Sequence, residues 1–227
     1  MKTAISIGSA YYNGEDWDDL VEYAKAADRL GVSQAWSAEA WGMDAIVPLA
    51  YLAGQTENIG LGTGILQISS RVPSMIAMTA QSLDTVSKGR FILGLGVSGP
   101  QVVEGLHGAA FAKPLSRLRE CVEILHIGLK GEKLAYDGNH YLLPRPGGEG
   151  KAIRLSQPPR PNLPVYLATL GPKSLQMTGE LADGWLGTCF FPEHAHVFLD
   201  DLKTGADKAD RRLADIDIQA GGYFEVG

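Results

Sequence analysis

The sequence predicts an α/β fold in which short strands of a parallel sheet alternate with helices. Short apolar runs and longer amphipathic segments take turns along most of the chain. One stretch, residues 59–101, shows the unit plainly: IGLGTGILQISSRVPSMIAMTAQSLDTVSKGRFILGLGVSGPQ reads as strand, helix, strand, with glycines at the end of each strand. Two apolar strands joined through a helix make a parallel crossover, which needs cover on both faces. Composition agrees, since 45% of the 227 residues are apolar and 28 are glycine, which suits a large core with many tight turns.

The elements follow in order. Residues 3–8 form a first strand. A helix over 15–30 places Trp17, Leu20, Val21, Ala24, Ala27 and Leu30 on one stripe, and Gly31 stops it. Residues 34–37 are a second strand. Asp44 caps a helix over 45–53, whose Pro48 is tolerable only near the start. The third strand is 59–65. The next helix, 73–87, opens on Pro73, which wastes no hydrogen bond there. Ile76, Ala80, Leu83 and Val86 form its inward face, and Gly89 closes it. Residues 91–95 are the fourth strand. A helix over 115–129 turns Leu118, Val122, Leu125 and Leu129 inward.

Residues 131–164 interrupt the rhythm. Tyr136-Asp137-Gly138-Asn139 reads as the turn of a β-hairpin, and a proline- and glycine-rich stretch follows. Such an excursion is either a lid or binding loop, or a mobile surface loop. The alternation then resumes with strands at 165–168, 185–188 and 216–226 and helices at 173–181 and 193–209. That makes seven strands and six helices. A (β/α)8 barrel closes with eight units over ~250 residues. The expectation is one barrel domain over 1–227, carrying the excursion at 131–164. It lacks its last units, through truncation or as a naturally short form.

Several function classes lose support. A net charge of −6 offers no surface for nucleic acid or for an anionic membrane. Cys121 and Cys189 are far apart and show no metal or redox spacing, as expected of two reduced core thiols in a cytosol. The first residues lack a signal-peptide pattern, and the apolar run 45–53 is too short to span a bilayer. A cytoplasmic protein acting on a small molecule is the expectation.

In a β/α barrel the site lies at the carboxyl ends of the strands. After the second strand come Glu39 and Trp41. Glu39 accepts a hydrogen bond from a ligand or acts as acid/base, or is a solvated loop carboxylate. Trp41 stacks on a flat ring or lines the substrate side, or packs on the rim. After the fourth strand, Ser98 and Gln101 meet the polar edge of a flat ligand, or belong to a turn stiffened by Pro100. His107 is a substrate-side candidate or a bystander. Thr169, Gly171 and Lys173 open a helix. They hold a phosphate at its positive end, or simply start it. His194 and His196 lie two apart on a helix and face different ways, so they make no metal pair.

The segments LGTGILQISSRVPSMIAMTAQSLDTVSKGRFILGLGVSGPQVVEG, SAEAWGMDA, KPLSRLRECVEIL, YDGNHYLLP and GPKSLQMTGELADGW resemble the bacterial luciferase-like flavin and deazaflavin oxidoreductases. They are most similar to the branch that uses coenzyme F420, a 5-deazaflavin. The resemblance covers essentially the whole chain and implies a luciferase-like TIM barrel. It also implies an acidic residue, Glu39, near the deazaflavin, and phosphate binding at Thr169, Gly171 and Lys173. A bulge with a non-proline cis peptide at Gly64–Ile65 would set Ile65 behind the ring. The implied activity is hydride transfer between reduced F420 and a small organic substrate. An FMN-dependent monooxygenase and a non-catalytic flavin-binding protein are the alternatives. The implied assembly is a homodimer through the helices flanking the early strands.

Overall fold

The computed structural model describes residues 2–7, 16–188 and 190–221. Gly8, Glu15, Cys189 and the predicted strand beyond 221 lie outside them. The strands are β1 (Ala4–Ile7), β2 (Gln34–Ser37), β3 (Gly60–Thr63), β4 (Leu66–Gln67), β5 (Phe91–Gly96), β6 (Tyr136–Asp137), β7 (Leu142–Leu143), β8 (Val165–Leu167), β9 (Gly184–Gly187) and β10 (Asp217–Ala220). The helices are α1 (Trp17–Arg29), α2 (Ile46–Ala53), α3 (Pro73–Val86), α4 (Pro114–Leu129), α5 (Pro172–Leu181) and α6 (His196–Lys208). A π-helical turn occupies Gln101–Leu106, where the sequence suggested a loop.

Seven strands form one parallel sheet in the order β1-β2-β3-β5-β8-β9-β10, and β4 pairs with the far end of β5. The sheet curls as a barrel wall does. Lys2, just ahead of β1, reaches the Asp217 carboxylate at the start of β10 at 3.1 Å. Aromatic side chains fill the curl. The rings of Trp36 and Tyr166 lie 5.7 Å apart, and the Tyr166 hydroxyl donates to Asp217 at 2.6 Å. Strand glycines make the room. A β-carbon at Gly62 would stand 2.4 Å from the Trp36 ring, and one at Gly184 2.5 Å from the Tyr166 ring.

The local signals hold with two corrections. The Asp44 carboxylate accepts the N–H of Ile46 at 2.7 Å and of Val47 at 2.8 Å, so it caps α2. Leu118, Val122, Leu125 and Leu129 of α4 are fully buried. Leu30 and Val86, however, are 83% and 54% exposed. Both were reached by repeated steps of three, through Ala24 and Ala27 or through Leu83. Three residues turn the helix about 300°, so each such step drifts about 60° off the buried face.

The excursion is fastened to the barrel. Its hairpin pairs Tyr136 with Leu143 and Asp137 with Leu142. The turn therefore sits at residues 138–141, later than the sequence suggests. Glu120 of α4 explains the position: its buried carboxylate accepts the N–H groups of Asn139, His140 and Tyr141 at 2.8, 2.9 and 3.0 Å. Burial alone would raise this carboxyl. The three backbone donors outweigh it and hold the group below its ordinary value. At the far end, Arg160 pairs with the buried Asp84 of α3 at 2.6 Å, and its N–H bonds the Leu129 carbonyl at 2.7 Å.

Candidate functional site

The carboxyl ends of the strands open onto three adjoining clefts. The first has a volume of about 820 Å³. Ile65 and Gly96 form its floor, Leu115 and Leu118 of α4 one wall, and the start of α5 its far end. The chain breaks between β3 and β4, and the Gly64–Ile65 peptide there is cis, as the resemblance implies. Below the break, Thr63 locks β3 to β5. Its hydroxyl donates to the Gly94 carbonyl at 2.8 Å and accepts the Gly94 N–H at 2.9 Å. Gly96 is the space in which Ile65 lies, because a β-carbon there would stand 3.0 Å from the end of the Ile65 side chain.

At the far end, Gly171 is the extended N-cap of α5 and Pro172 its first residue. The Gly171 carbonyl accepts the N–H of Ser174 and of Leu175. Lys173 stands at an early helical position, where the N–H has no partner within the helix. Thr169 departs from expectation. Its hydroxyl meets the Thr178 hydroxyl at 2.7 Å, and Thr178 already donates to the Ser174 carbonyl. With Thr178 donating to Ser174, Thr169 is the donor in this pair, so its hydroxyl proton is already engaged. Its carbonyl accepts the Trp185 indole N–H at 2.8 Å, so Thr169 ties β8 to α5 and β9. Ser98 lines the cleft with a left-handed backbone, φ 56°. Gln101 lines none of the three clefts; it starts the π-helical turn and is exposed.

The second cleft, about 420 Å³, brings together Glu39, Trp41, Gln67, Arg71 and His107. Glu39 is no solvated carboxylate. Its side chain is 7% exposed and receives a hydrogen bond from Arg71 Nη1 at 2.7 Å. Gln67, fully buried at the end of β4, links two more groups. Ser69 donates to its Oε1 at 2.9 Å, so its NH2 faces His107 Nε2 at 2.8 Å. In the neutral ring Nε2 then accepts, and the ring proton sits on Nδ1. Sequence reasoning missed Arg71 and Gln67. Both stand in QISSR, directly after the glycine-rich strand end, and nothing local marks them as facing Glu39 and His107.

The third cleft, about 300 Å³, lies between the other two. It shares Val97 with the first and Arg71 with the second, and adds Arg117 and Tyr141. The hairpin pinned by Glu120 thus supplies part of the site wall.

The sequence pattern of the luciferase-like monooxygenase family matches residues 1–227. This chain belongs to that family. Among the luciferase-like relatives is a Mycobacterium tuberculosis protein named as a coenzyme F420-dependent oxidoreductase. It is 38% identical over 225 residues, which cover 96% of this chain and 64% of that protein. The 5,10-methylenetetrahydromethanopterin reductase of Methanolobus tindarius is 31% identical over 208 residues, covering 91% of this chain and 61% of the enzyme. The solved coenzyme F420-dependent tetrahydromethanopterin reductase of Methanopyrus kandleri superposes with a TM-score of 0.83 at 24% identity, over 96% of this chain and 65% of that one. That likeness is one of fold. This luciferase-like chain thus spans less than two thirds of the length of each of these relatives. Among its described residues, no helix is long and apolar enough to cross a membrane.

Proposed function

We propose that this luciferase-like chain binds coenzyme F420 in the first cleft and moves hydride between it and a small organic substrate in the adjoining clefts. One observation carries the reading: a single cleft joins an aliphatic floor at Ile65 and Gly96 to the free amino end of α5. A flat tricyclic ring needs a smooth apolar support, and Ile65, seated in the space that Gly96 leaves, gives it. An anionic tail needs orphan N–H groups and positive charge. The start of α5 offers both at Gly171 and Lys173, a helix end favouring an anion by about 0.3–1 kcal/mol when exposed. FMN makes similar demands, and the names of the relatives favour the deazaflavin.

When bound, the deazaflavin supplies or accepts the hydride. The chain binds, orients and excludes water. Ile65 backs the ring, and Ser98 meets its edge. His107, oriented through Gln67, offers its Nδ1–H to a substrate oxygen. Glu39, held by Arg71, offers an acceptor, and Trp41 closes the rim beside them. We place Gln101 outside the contact set and assign Thr169 to holding the loop. The unit is a single cytoplasmic luciferase-like domain. A second copy docks on the outer face of α2 and α3, where Val47, Tyr51, Val72, Met75 and Met78 are exposed.

The test is titration of the protein with F420 and with FMN in parallel. Saturable quenching of F420 fluorescence, with weaker or absent FMN binding, supports the proposal. A yellow FMN complex that consumes oxygen would replace it with a flavin monooxygenase. A tight FMN complex without turnover would make the protein a flavin carrier.

A further inference from the structure

The third cleft holds an unusual mixture of walls. Val97, Val103, Phe111 and Pro114 make it apolar, yet Arg71, Arg117 and Tyr141 line it too, and no carboxylate does. Arg71 is already engaged, with its Nη1 on Glu39. Arg117 is not. It is half-buried on the first turn of α4, and among the described residues no carboxylate lies within ion-pair distance of it. Neutral groups aim it instead. Its Nε donates to the Ala112 carbonyl at 3.1 Å, and the guanidinium also bonds the Tyr141 hydroxyl. The fork carries more N–H donors than these contacts use. Tyr141 is presented by the hairpin, whose backbone Glu120 holds at 3.0 Å. Burial raises the phenol above its ordinary value, so it keeps its proton. Its oxygen accepts from Arg117, and among the described residues no acceptor takes that proton. The nearby carboxylates are spent elsewhere: Glu120 on three hairpin N–H groups, Glu104 on the Phe111 N–H at 3.0 Å.

We propose that the third cleft binds the carboxylate of the substrate between Arg117 and Tyr141, so that the substrate is a small amphipathic organic acid. The inference rests on the reading of the clefts beside the first as the substrate side, and it names the substrate class. Aimed donors carry it, not a count of charges. A planar guanidinium fork and one phenol proton match the two oxygens of a carboxylate. A phosphate dianion would call for a second cation, and Arg71 is committed to Glu39. The volume, about 300 Å³, admits a short body, and the apolar walls favour a hydrocarbon one. Val97 belongs to this cleft and to the first, so that body leads toward the place given to the ring. Arg71 belongs to this cleft and to the second, which sets Glu39 and His107 beside the same substrate.

The test measures dissociation constants by ligand-observed NMR at neutral pH in a zwitterionic buffer, with no turnover required. The probes are benzoate, its neutral counterpart benzamide, and phenyl phosphate; F420 is titrated separately by fluorescence. Benzoate should bind at least about tenfold more tightly than benzamide. Arg117→Gln should remove that advantage, and Arg117→Lys, which keeps the charge and loses the fork, should restore part of it. Tyr141→Phe should weaken benzoate about two- to fivefold and provides a second, independent variant. Thermal melts of the variants separate a lost contact from a lost fold. Benzoate no tighter than benzamide, or equally tight in wild type and Arg117→Gln, overturns the pocket while leaving the deazaflavin site standing. Phenyl phosphate bound more tightly than benzoate through Arg117 overturns the carboxylate assignment. Benzoate bound through Arg117 in a protein that does not bind F420 upholds the pocket and overturns the deazaflavin reading alone.

Discussion

Replacing Glu120 should release the hairpin from the barrel and open the wall of the third cleft. In the folded protein this one carboxylate satisfies three consecutive backbone donors, at 2.8–3.0 Å. A hydrogen bond to a charged group contributes about 1.5–3 kcal/mol. The three are not additive, because a released turn regains water on its N–H groups. Glu120→Ala should therefore cost about 3 kcal/mol in total. For a domain of this size, that corresponds to a melting temperature about 6–12 °C lower. Glu120→Gln should cost roughly half as much, since its amide keeps one accepting oxygen and turns a donor toward a donor. The pH dependence follows from the direction of the shift. The folded carboxyl lies below its ordinary value, so its stabilisation is complete above the unfolded glutamate range. It is lost as pH falls through the lower folded value. The gap between wild type and Glu120→Gln should therefore close on acidification. Thermal melts across pH measure this, and hydrogen exchange at residues 139–141 locates it. A Glu120→Ala protein that melts within a degree of wild type, with those three amides still protected, would refute the reasoning.

Three further outcomes are expected. Glu39→Gln keeps the shape of the side chain and leaves Arg71, 22% exposed, able to reach water. It should cost only about 1–3 kcal/mol of stability while lowering turnover at least about tenfold; melting and steady-state kinetics on one preparation compare the two losses. Gly171→Val should weaken cofactor binding more than about tenfold without loss of fold, since the nearest atom to an added β-carbon is Ser174 Oγ at 3.8 Å. Lys173→Ala should weaken it only a few-fold, and the opposite ranking in a fluorescence titration would mean that the cofactor lies the other way round. Gly94→Ala places a β-carbon 1.9 Å from the Thr63 carbonyl oxygen. It should cost about 3 kcal/mol or more, read as a fall in the urea midpoint, and a wild-type midpoint would show that β3 and β5 can separate there freely.

Whatever depends on neighbours within a helical turn or a strand was legible in the sequence. Gln34–Ser37 as a strand, the buried stripe of α4, the Asp44 cap and the glycine stops after α1 and α3 follow from local hydrogen bonding and period alone. The cis peptide at Gly64–Ile65 was legible only through the resemblance carried by GTGIL, because base rates oppose it. The tertiary structure decided which polar groups meet. Glu39 and Arg71 are 32 residues apart, Gln67 and His107 are 40 apart, and Lys2 and Asp217 are 215 apart. Their contacts depend on register between strands and on the curl of the sheet, neither of which leaves a mark in local periodicity. The same holds for Thr169, which reads as a phosphate donor beside Gly171 until Thr178, one helix face away, takes its proton. Sequence placed the elements and the strand ends where a site must lie. Packing determined which side chains at those ends remain free to bind.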